Sequence, residues 1–332
     1  MSFKNLFLFN TNALEVYNKW ETPTVIISDG PYGVGGFPGD PLTPDTLSEW
    51  YKPHISEWTS RSTPQTTLWF WNTEPGWANV HKEIINHGWD FVNCHIWDKG
   101  VEHIAGNVNS KTIRHFPIVT EVCAQYVKRA LFKIEDRQLS MQEWLRYEWL
   151  RSGLPFSKTN EVCGVKNAAT RKYFTACHLW YYPPADAFEK IVEYANKFGK
   201  EKGKPYFSVD GKQPVSKTEW EKMRAVFHCD FGISNVWREP PLNGKERLRN
   251  GTKSLHLNQK PLKFMCRIIK SSSNELDVVW EPFGGLFTGM LATRKLNRIG
   301  YAAEISKTIF DYGYSRLKNV LAVRELEFPL EV

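Results

Sequence analysis

The distribution of apolar positions divides the chain into three stretches of different texture. In the first, short apolar runs alternate with amphipathic ones. Thr24-Val25-Ile26-Ile27 is a β-branched run that reads as a buried strand, and 66–71, 89–97 and 115–128 read as three more. Residues 78–87 have helical spacing and stop near Gly88. Another helix opens at Thr43-Pro44, with proline at its first position, and runs to about residue 54. Upstream, Leu6-Phe7-Leu8-Phe9 is a short apolar run, and Thr11 or Asn12 is placed to cap a short helix over 11–20 whose apolar face is Leu14, Tyr17 and Trp20. The alternation of strand, helix and strand argues for a parallel sheet with crossover helices.

From about residue 140 the pattern becomes helical. Residues 141–150 form one helix and 185–198 another, closed by Gly199. Residues 216–227 form a third, opened by the capping-box pattern Ser216-Lys217-Thr218-Glu219. A strand and turn are expected at 206–211. Residues 156–173 read as two short helices around a turn at Gly164, with Val162, Val165, Ala169 and Tyr173 between them. That spacing suits a helix-turn-helix, and it suits a plain helical hairpin equally. In the helix-turn-helix reading Lys166, Asn167, Thr170, Arg171 and Lys172 face outward, where asparagine and arginine match adenine and guanine edges. The polar stretch 240–253, with Lys245, Arg247, Arg249 and Lys253, is expected to be a loop, either tracking phosphates or simply solvated. The alternating texture then returns: helix 260–270, strand 276–280, helix 288–296, strand 298–304 and a closing helix 306–322.

Composition narrows this picture only slightly. The 332 residues suffice for one large domain or two medium ones, and the 42% hydrophobic content supports a sizeable core. The net charge of +7 permits a polyanionic partner without demanding one. Fourteen tryptophans supply rings that can stack on bases, although most such rings serve as core anchors. The six cysteines are widely spaced with no Cys-x-x-Cys pair, so no metal site is expected. The absence of a signal-like N-terminus and of any membrane-length apolar run makes the cytoplasm the expected compartment, with no membrane partner.

The chemistry lies at two strand ends. Ser28-Asp29-Gly30-Pro31-Tyr32-Gly33 puts a carboxylate and an aromatic ring on a tight loop at a strand's C-terminal edge, where open α/β sheets bind ligands. Asp-Gly and Gly-Pro are also ordinary turn dipeptides. A second signal favours function: Glu281-Pro282-Phe283-Gly284-Gly285 directly follows the apolar run 276–280. Glu304 ends the next strand of that unit, where an acidic residue is placed to accept ribose hydroxyls. Residues 34–41, rich in glycine and proline, read as a mobile flap beside the first loop, or as an ordinary surface loop.

Asp29-Gly30-Pro31-Tyr32 resembles the Asp-Pro-Pro-Tyr motif of DNA amino-methyltransferases, and Glu281-Pro282-Phe283-Gly284-Gly285 resembles their Asp-Pro-Phe-x-Gly S-adenosylmethionine motif. His256-Leu257-Asn258-Gln259-Lys260-Pro261 is similar to the His-Pro-x-x-Lys-Pro segment that precedes it. Residues 89–99 look like the family's strand ending in Trp-x-Lys, and Thr120-Glu121 stands where the family often has His-Glu. The order, catalytic motif first and cofactor motif last, is that of the β class. The resemblance implies an α/β fold: a Rossmann-like, doubly wound methyltransferase sheet with a mostly helical target-recognition insert. Residues 1–138 would form the catalytic half, 139–250 the insert and 251–332 the cofactor half.

It also implies methyl transfer from S-adenosylmethionine to an exocyclic base amine, with no metal required. Asp29 and the carbonyl of Gly30 or Pro31 would accept the amine N–H groups, and Tyr32 would stack on a base flipped out of duplex DNA. Gly284 and Gly285 would let backbone approach the methionine end of the cofactor. Glu281, with Pro282 and Phe283, sits beside it; Asn258 and Lys260 would reach it from the preceding loop. Aspartate in the first motif position leans towards adenine N6, with cytosine N4 as the alternative. A cognate restriction endonuclease is the expected partner, and the chain is expected to be a monomer or a homodimer.

Three departures stand out: Gly30 replaces a proline and is expected to loosen the loop, Glu281 replaces aspartate, and Leu286-Phe287 occupy the place of Ser-Gly. Other readings fit less well. A C5-cytosine enzyme needs a Pro-Cys nucleophile, which is absent, and protein glutamine methyltransferases carry the cofactor motif first. A non-catalytic helix-turn-helix regulator leaves both strand-end motifs unexplained.

Overall fold

The computed structural model describes residues 2–36, 39–102, 104, 108–242, 246–251, 253–256 and 258–326. Phe37 and Pro38 of the expected flap, Lys245 of the polar stretch and Leu257 of the cofactor-side segment lie outside them. The chain forms two compact units, Met1–Lys128 with Ala225–Val332, and Arg129–Arg224. The smaller unit starts and ends earlier than the insert expected at 139–250.

The larger unit opens with β1 (Ser2–Phe3) and β2 (Leu6–Phe9). Two 3₁₀ turns, Ala13–Glu15 and Tyr17–Lys19, replace the helix expected over 11–20. Asn12 caps the first by accepting from the Leu14 N–H at 3.1 Å, and Val16 leaves helical geometry at φ −129°. Then come β3 (Val25–Ser28), buried throughout, and α1 (Leu47–Arg61), which continues past Pro53. Leu47, Tyr51, His54, Ile55 and Trp58 form the buried stripe of α1, a pattern that outweighs the one backbone bond lost at the proline. β4 (Thr67–Asn72), α2 (Glu74–Asn86), β5 (Trp89–Asp98) and β6 (Thr120–Lys128) follow. β6 starts five residues later than expected from 115, at Thr120.

The smaller unit contains a hairpin of β7 (Leu131–Ile134) and β8 (Arg137–Ser140), then α3 (Met141–Arg151), α4 (Ser157–Val162), α5 (Ala168–Lys172), α6 (Ala185–Phe198) and α7 (Lys217–Lys222). Capping boxes at Ser140/Glu143 and Ser216/Glu219 start α3 and α7. Its core is aromatic: Phe132 stacks on Trp144 at 4.3 Å and Phe188 on Trp220 at 4.1 Å. No strand forms at 206–211. The helix-turn-helix expectation fails here. α5 has five residues, too few to lie along a groove, and Val165 is exposed rather than packed. Thr170 turns inward: its hydroxyl donates to the Phe156 carbonyl at 2.8 Å, and its N–H donates to Asn160 Oδ1. Lys166, Asn167, Arg171 and Lys172 are exposed as expected.

The chain returns to the larger unit through β9 (Val236–Arg238) and the short hairpin β10 (Arg249–Asn250) and β11 (Lys253–Ser254), which orders part of the expected loop. α8 (Leu262–Ser272), β12 (Val278–Glu281), α9 (Thr288–Lys295), β13 (Ile299–Ala303) and α10 (Lys307–Leu326) complete it. Among the described residues the main sheet has the order β1-β2-β13-β12-β3-β4-β6-β5-β9. β2, β13, β12, β3 and β4 run parallel, while β6 lies antiparallel between β4 and β5. The sheet is therefore mixed rather than parallel, with β6 antiparallel to both its neighbours and no crossover helix among the described residues between β5 and β6. Alternation within β3 sends Val25 and Ile27 to a core with Phe264, Ile268, Met290 and Phe310, and Ile26 to a core with Tyr51, Trp58 and Val80. No helix among the described residues is long and apolar enough to cross a membrane.

The chain runs from β3 outward to β4 and from β12 outward to β13, so β3 and β12, paired in parallel, mark the switch point of the sheet. The loops after Ser28 and Glu281 leave it side by side, and a crevice at that edge is the expected consequence.

Candidate functional site

Asp29 is the first residue beyond β3. Its loop is fixed from three sides. The Asp40 carboxylate accepts the N–H groups of Gly33, Val34 and Gly36 at 2.8, 3.3 and 3.0 Å, so the described part of the expected flap is tied to a buried carboxylate. The Pro31 carbonyl accepts from Tyr51 of α1 and from Asn72 at the end of β4, both at 3.0 Å. Gly30 has no room for a side chain: a Cβ would lie 2.5 Å from the Tyr51 hydroxyl and 2.6 Å from the Phe283 ring. The glycine that replaces the family's proline thus admits close packing, and the expected loosening does not occur.

Beneath the loop lies a buried charge cluster. Lys260 Nζ sits 2.8 Å from Asp29 Oδ1 and 3.3 Å from Glu121 Oε2, and donates to the Tyr32 hydroxyl at 2.8 Å and the Asn258 carbonyl at 3.1 Å. Tyr32 donates to Asp29 Oδ1 at 2.9 Å, with Glu121 Oε2 at 3.3 Å as a second acceptor. Lys99, just past β5, binds the other oxygen of Glu121. Two carboxylates and two ammonium groups balance. Burial raises the pKa of Asp29, and Lys260 offsets this only in part. Burial acts on Glu121 as well, but Lys260 and Lys99 together outweigh it and hold that carboxyl below its usual range. Burial disfavours the Lys260 charge, yet the two carboxylates keep its pKa above that of an ordinary lysine. Among the described residues both partners of Asp29 fall on Oδ1; Oδ2 has none, and Asp29 borders the open cleft.

That cleft, about 240 Å³, brings the two strand-end motifs together. Asp29, Gly30 and Pro31 line it from one side, and Pro282, Phe283, Gly285, Glu304 and Asn258 from the other. Trp50 and His54 of α1 form an aromatic wall, their rings stacked at 5.0 Å with Phe283 edge-on to His54. His54 Nδ1 lies 2.9 Å from the Tyr17 hydroxyl, which itself accepts from Trp58 Nε1, and burial pushes the His54 pKa down to about 4. The wall is neutral at physiological pH. Gly284 lines a small adjoining cavity with Asp29, Lys260 and Glu281.

Several expected roles meet different geometry. Glu281, expected beside the cofactor, accepts the N–H groups of Gly289 and Met290 at 2.9 and 3.0 Å and so caps α9; burial pushes its pKa up to about 8. Glu304 lines the cleft while accepting from Gly285 and Ser306 N–H at 2.9 and 2.8 Å. Lys260, expected on the cofactor, points at Asp29. Tyr32, expected to stack on the base, is 5% exposed and lines neither cavity. Phe287 takes a left-handed φ of +56° and turns into the core against Phe310, with its ring packed against Gly284, which has no room for a side chain. Tyr51, Asn72, Trp50 and His54 were not singled out by motif. Asn72 had a usable signal, since it ends a strand at the same sheet edge as Asp29.

A family described as DNA methylase, covering N6 and N4 enzymes, matches residues 24–315. The type II methyltransferase M.HindIII of Haemophilus influenzae is 23% identical over 330 residues, 93% of this chain and 94% of the relative. The type II methyltransferase M.HpaI of Haemophilus parainfluenzae is 34% identical over 86 residues, 26% of either chain. Among solved structures, PvuII DNA methyltransferase (cytosine-N4-specific) aligns with a TM-score of 0.52 at 10% identity, over 95% of this chain and 87% of that one, which shows a shared Rossmann-like methyltransferase fold.

Proposed function

The chain belongs to the N6/N4 DNA methylase family, S-adenosylmethionine-dependent enzymes that methylate an exocyclic amine of a base in DNA, and from that premise we propose a site-specific enzyme acting on adenine N6. The observation that carries this reading is the cleft shared by Asp29 and Gly285, with Gly284 in the cavity adjoining it, at the switch point of the sheet. Aspartate in the first motif position supports adenine over cytosine N4.

The residues fit the cofactor. The Trp50–Phe283 wall suits an adenine ring, and Glu304 keeps lone pairs for ribose hydroxyls. Gly285, at φ +50°, presents backbone without a side chain, and Asn258 adds a polar contact. When bound, S-adenosylmethionine supplies an activated methyl as the electrophile. The protein's task is the nucleophile, since the lone pair of a base amine is delocalised into its ring. Asp29 Oδ2 accepts one N–H, and the Gly30 carbonyl accepts the other, because the Pro31 carbonyl already holds Tyr51 and Asn72. Pulling on both protons localises the lone pair for in-line attack. Alignment in the cleft supplies much of the rate, about 7 kcal/mol or more. Asp29 takes the proton as the nitrogen becomes cationic.

In a duplex the amine is inside the stack, so the base is flipped into the cleft. The unit Arg129–Arg224 is proposed as the target reader, with exposed Lys166, Asn167, Arg171 and Lys172 on its DNA side; Thr170 is withdrawn, being used internally. Likeness to type II enzymes supports a cognate endonuclease as partner. A non-catalytic regulator finds no support.

The test is base-resolved methylation sequencing of DNA from cells expressing the chain, with Asp29→Ala as control. N6-methyladenine at one short motif, absent with the variant, is expected. N4-methylcytosine would overturn the base assignment, and methylation by Asp29→Ala would overturn the mechanism. Isolated Asp29→Ala protein should still gain thermal stability from S-adenosylmethionine.

A further inference from the structure

Two carboxylates share the buried cluster, and only one of them borders the cleft. Resting on the reading of Asp29 above, we propose that Glu121 is a positioning residue for the reaction: it holds the Lys260 ammonium and the Tyr32 hydroxyl between itself and Asp29, so that Asp29 keeps Oδ2 turned to the amine and basic enough to take its proton. Glu121 lies on β6, Lys260 just before α8, Tyr32 beyond β3 and Lys99 beyond β5, so four segments of the larger unit converge on one buried carboxylate. Its side chain is about as buried as those of its partners, and it does not line the cleft.

The division of labour follows from counting charges. Lys260 is shared between two carboxylates. Glu121 has a second cation, Lys99, which holds its carboxyl below the usual range; Asp29 has only its share of Lys260, and burial holds its carboxyl above the usual range. Paired groups whose surroundings push their pKa values apart take different roles. The other titratable groups near Asp29 are Tyr32, Tyr51 and Glu281, and near Glu121 also Cys123. All are neutral or raised by burial, so Lys260 and Lys99 are the cations that set the balance. Proton bookkeeping is simple: one proton passes from the methylated nitrogen to Asp29 Oδ2, Asp29 becomes neutral, and Glu121 stays charged.

The test is a pair of variants of the full chain, Glu121→Gln and Lys99→Gln, assayed on unmethylated duplex DNA containing the target motif. In Glu121→Gln, Lys260 acts on Asp29 alone. Asp29 becomes a weaker base, so the acidic limb of the kcat profile moves to lower pH, and kcat falls about 10²-fold as Asp29 and Tyr32 lose register. The Kd for S-adenosylmethionine, read by calorimetry, stays unchanged. In Lys99→Gln, Glu121 loses its second cation and draws more strongly on Lys260, which then offsets the Asp29 charge less, so the limb moves to higher pH. Opposite shifts are the signature, and a merely structural role produces neither. Unshifted limbs, shifts of one sign, or a weaker cofactor Kd with unchanged kcat overturn the proposal. Asp29→Ala in the same assay separates the failures: if it remains active, the reading of Asp29 itself is wrong.

Discussion

At the scale of single residues, the site depends on how little space surrounds the catalytic loop. Gly30 lies against Tyr51 and Phe283, and Tyr51 also supplies one of the two donors on the Pro31 carbonyl. Adding a methyl at position 30 forces rings and backbone apart, at a cost of about 1–3 kcal/mol. We expect Gly30→Ala to lower the urea midpoint and the methylation rate together. Tyr51→Phe alone removes one hydrogen bond, about 1 kcal/mol, while Asn72 keeps the carbonyl satisfied. In the double variant the nearest clash, with the hydroxyl, is gone but Phe283 remains. The two changes should therefore cost less together than their sum, as a double-mutant cycle in urea would show. Independent, additive effects would mean the hydroxyl does not constrain the loop. The sequence signalled this position by its departure from the family motif, but the sign was misread. A glycine in a turn usually means freedom; here it means contact with residues distant in sequence, and such contacts leave no local pattern.

At the scale of elements, strands and their chemistry were legible and helix termini less so. The β-branched and aromatic runs located β3, β4, β5 and β12, and the rule that ligands bind at C-terminal strand edges placed Asp29, Glu281 and Glu304 on one edge. What could not be read was the assignment of each carboxylate. Glu281 serves α9, because Thr288 and the residues after it begin a buried helix whose first N–H groups need an acceptor. Its partners, Gly289 and Met290, follow it closely in the chain, so the signal was present but overshadowed by the motif. Glu281→Ala leaves two buried donors without that acceptor and should cost about 2 kcal/mol or more. The pH dependence has a definite sign. The folded pKa is raised to about 8, so between the ordinary carboxyl range and that value the folded chain retains a proton that the unfolded chain releases. Stability contributed by this group is therefore greatest at low pH and declines as pH rises towards 8. Glu281→Gln should flatten the decline in urea midpoints measured from pH 5 to 8; an unchanged slope would show that Glu281 is ionised throughout. The short helices α4 and α5 form on either side of Gly164 as the apolar spacing suggested, but the inward bonds of Thr170 to Thr159 and Asn160, which take that side chain from the outward face, were not legible in the spacing.

At the scale of the whole molecule, every residue lining the cofactor cleft belongs to the larger unit, whereas the smaller one has a closed aromatic core of its own around Trp144, Trp149, Phe188, Phe207 and Trp220. Binding of S-adenosylmethionine should therefore be felt unevenly. At a concentration 100 times its Kd a ligand stabilises the unit that binds it by about 2.7 kcal/mol. Hydrogen exchange followed by mass spectrometry should show slower exchange in β3, β12, α9 and β13, where opening breaks the cleft. α3 and α6 should exchange at their former rate, because they can open without disturbing it. Adding duplex DNA with the methylated motif should reverse the emphasis, slowing exchange around 166–172 if the exposed Lys166, Asn167, Arg171 and Lys172 meet phosphates or bases. That second protection should weaken steeply with salt, since contacts to phosphate release counterions. Cofactor alone protecting α6 as strongly as β12 would mean that the two units unfold as one, and the smaller unit could not then be treated as a separable reader of the target.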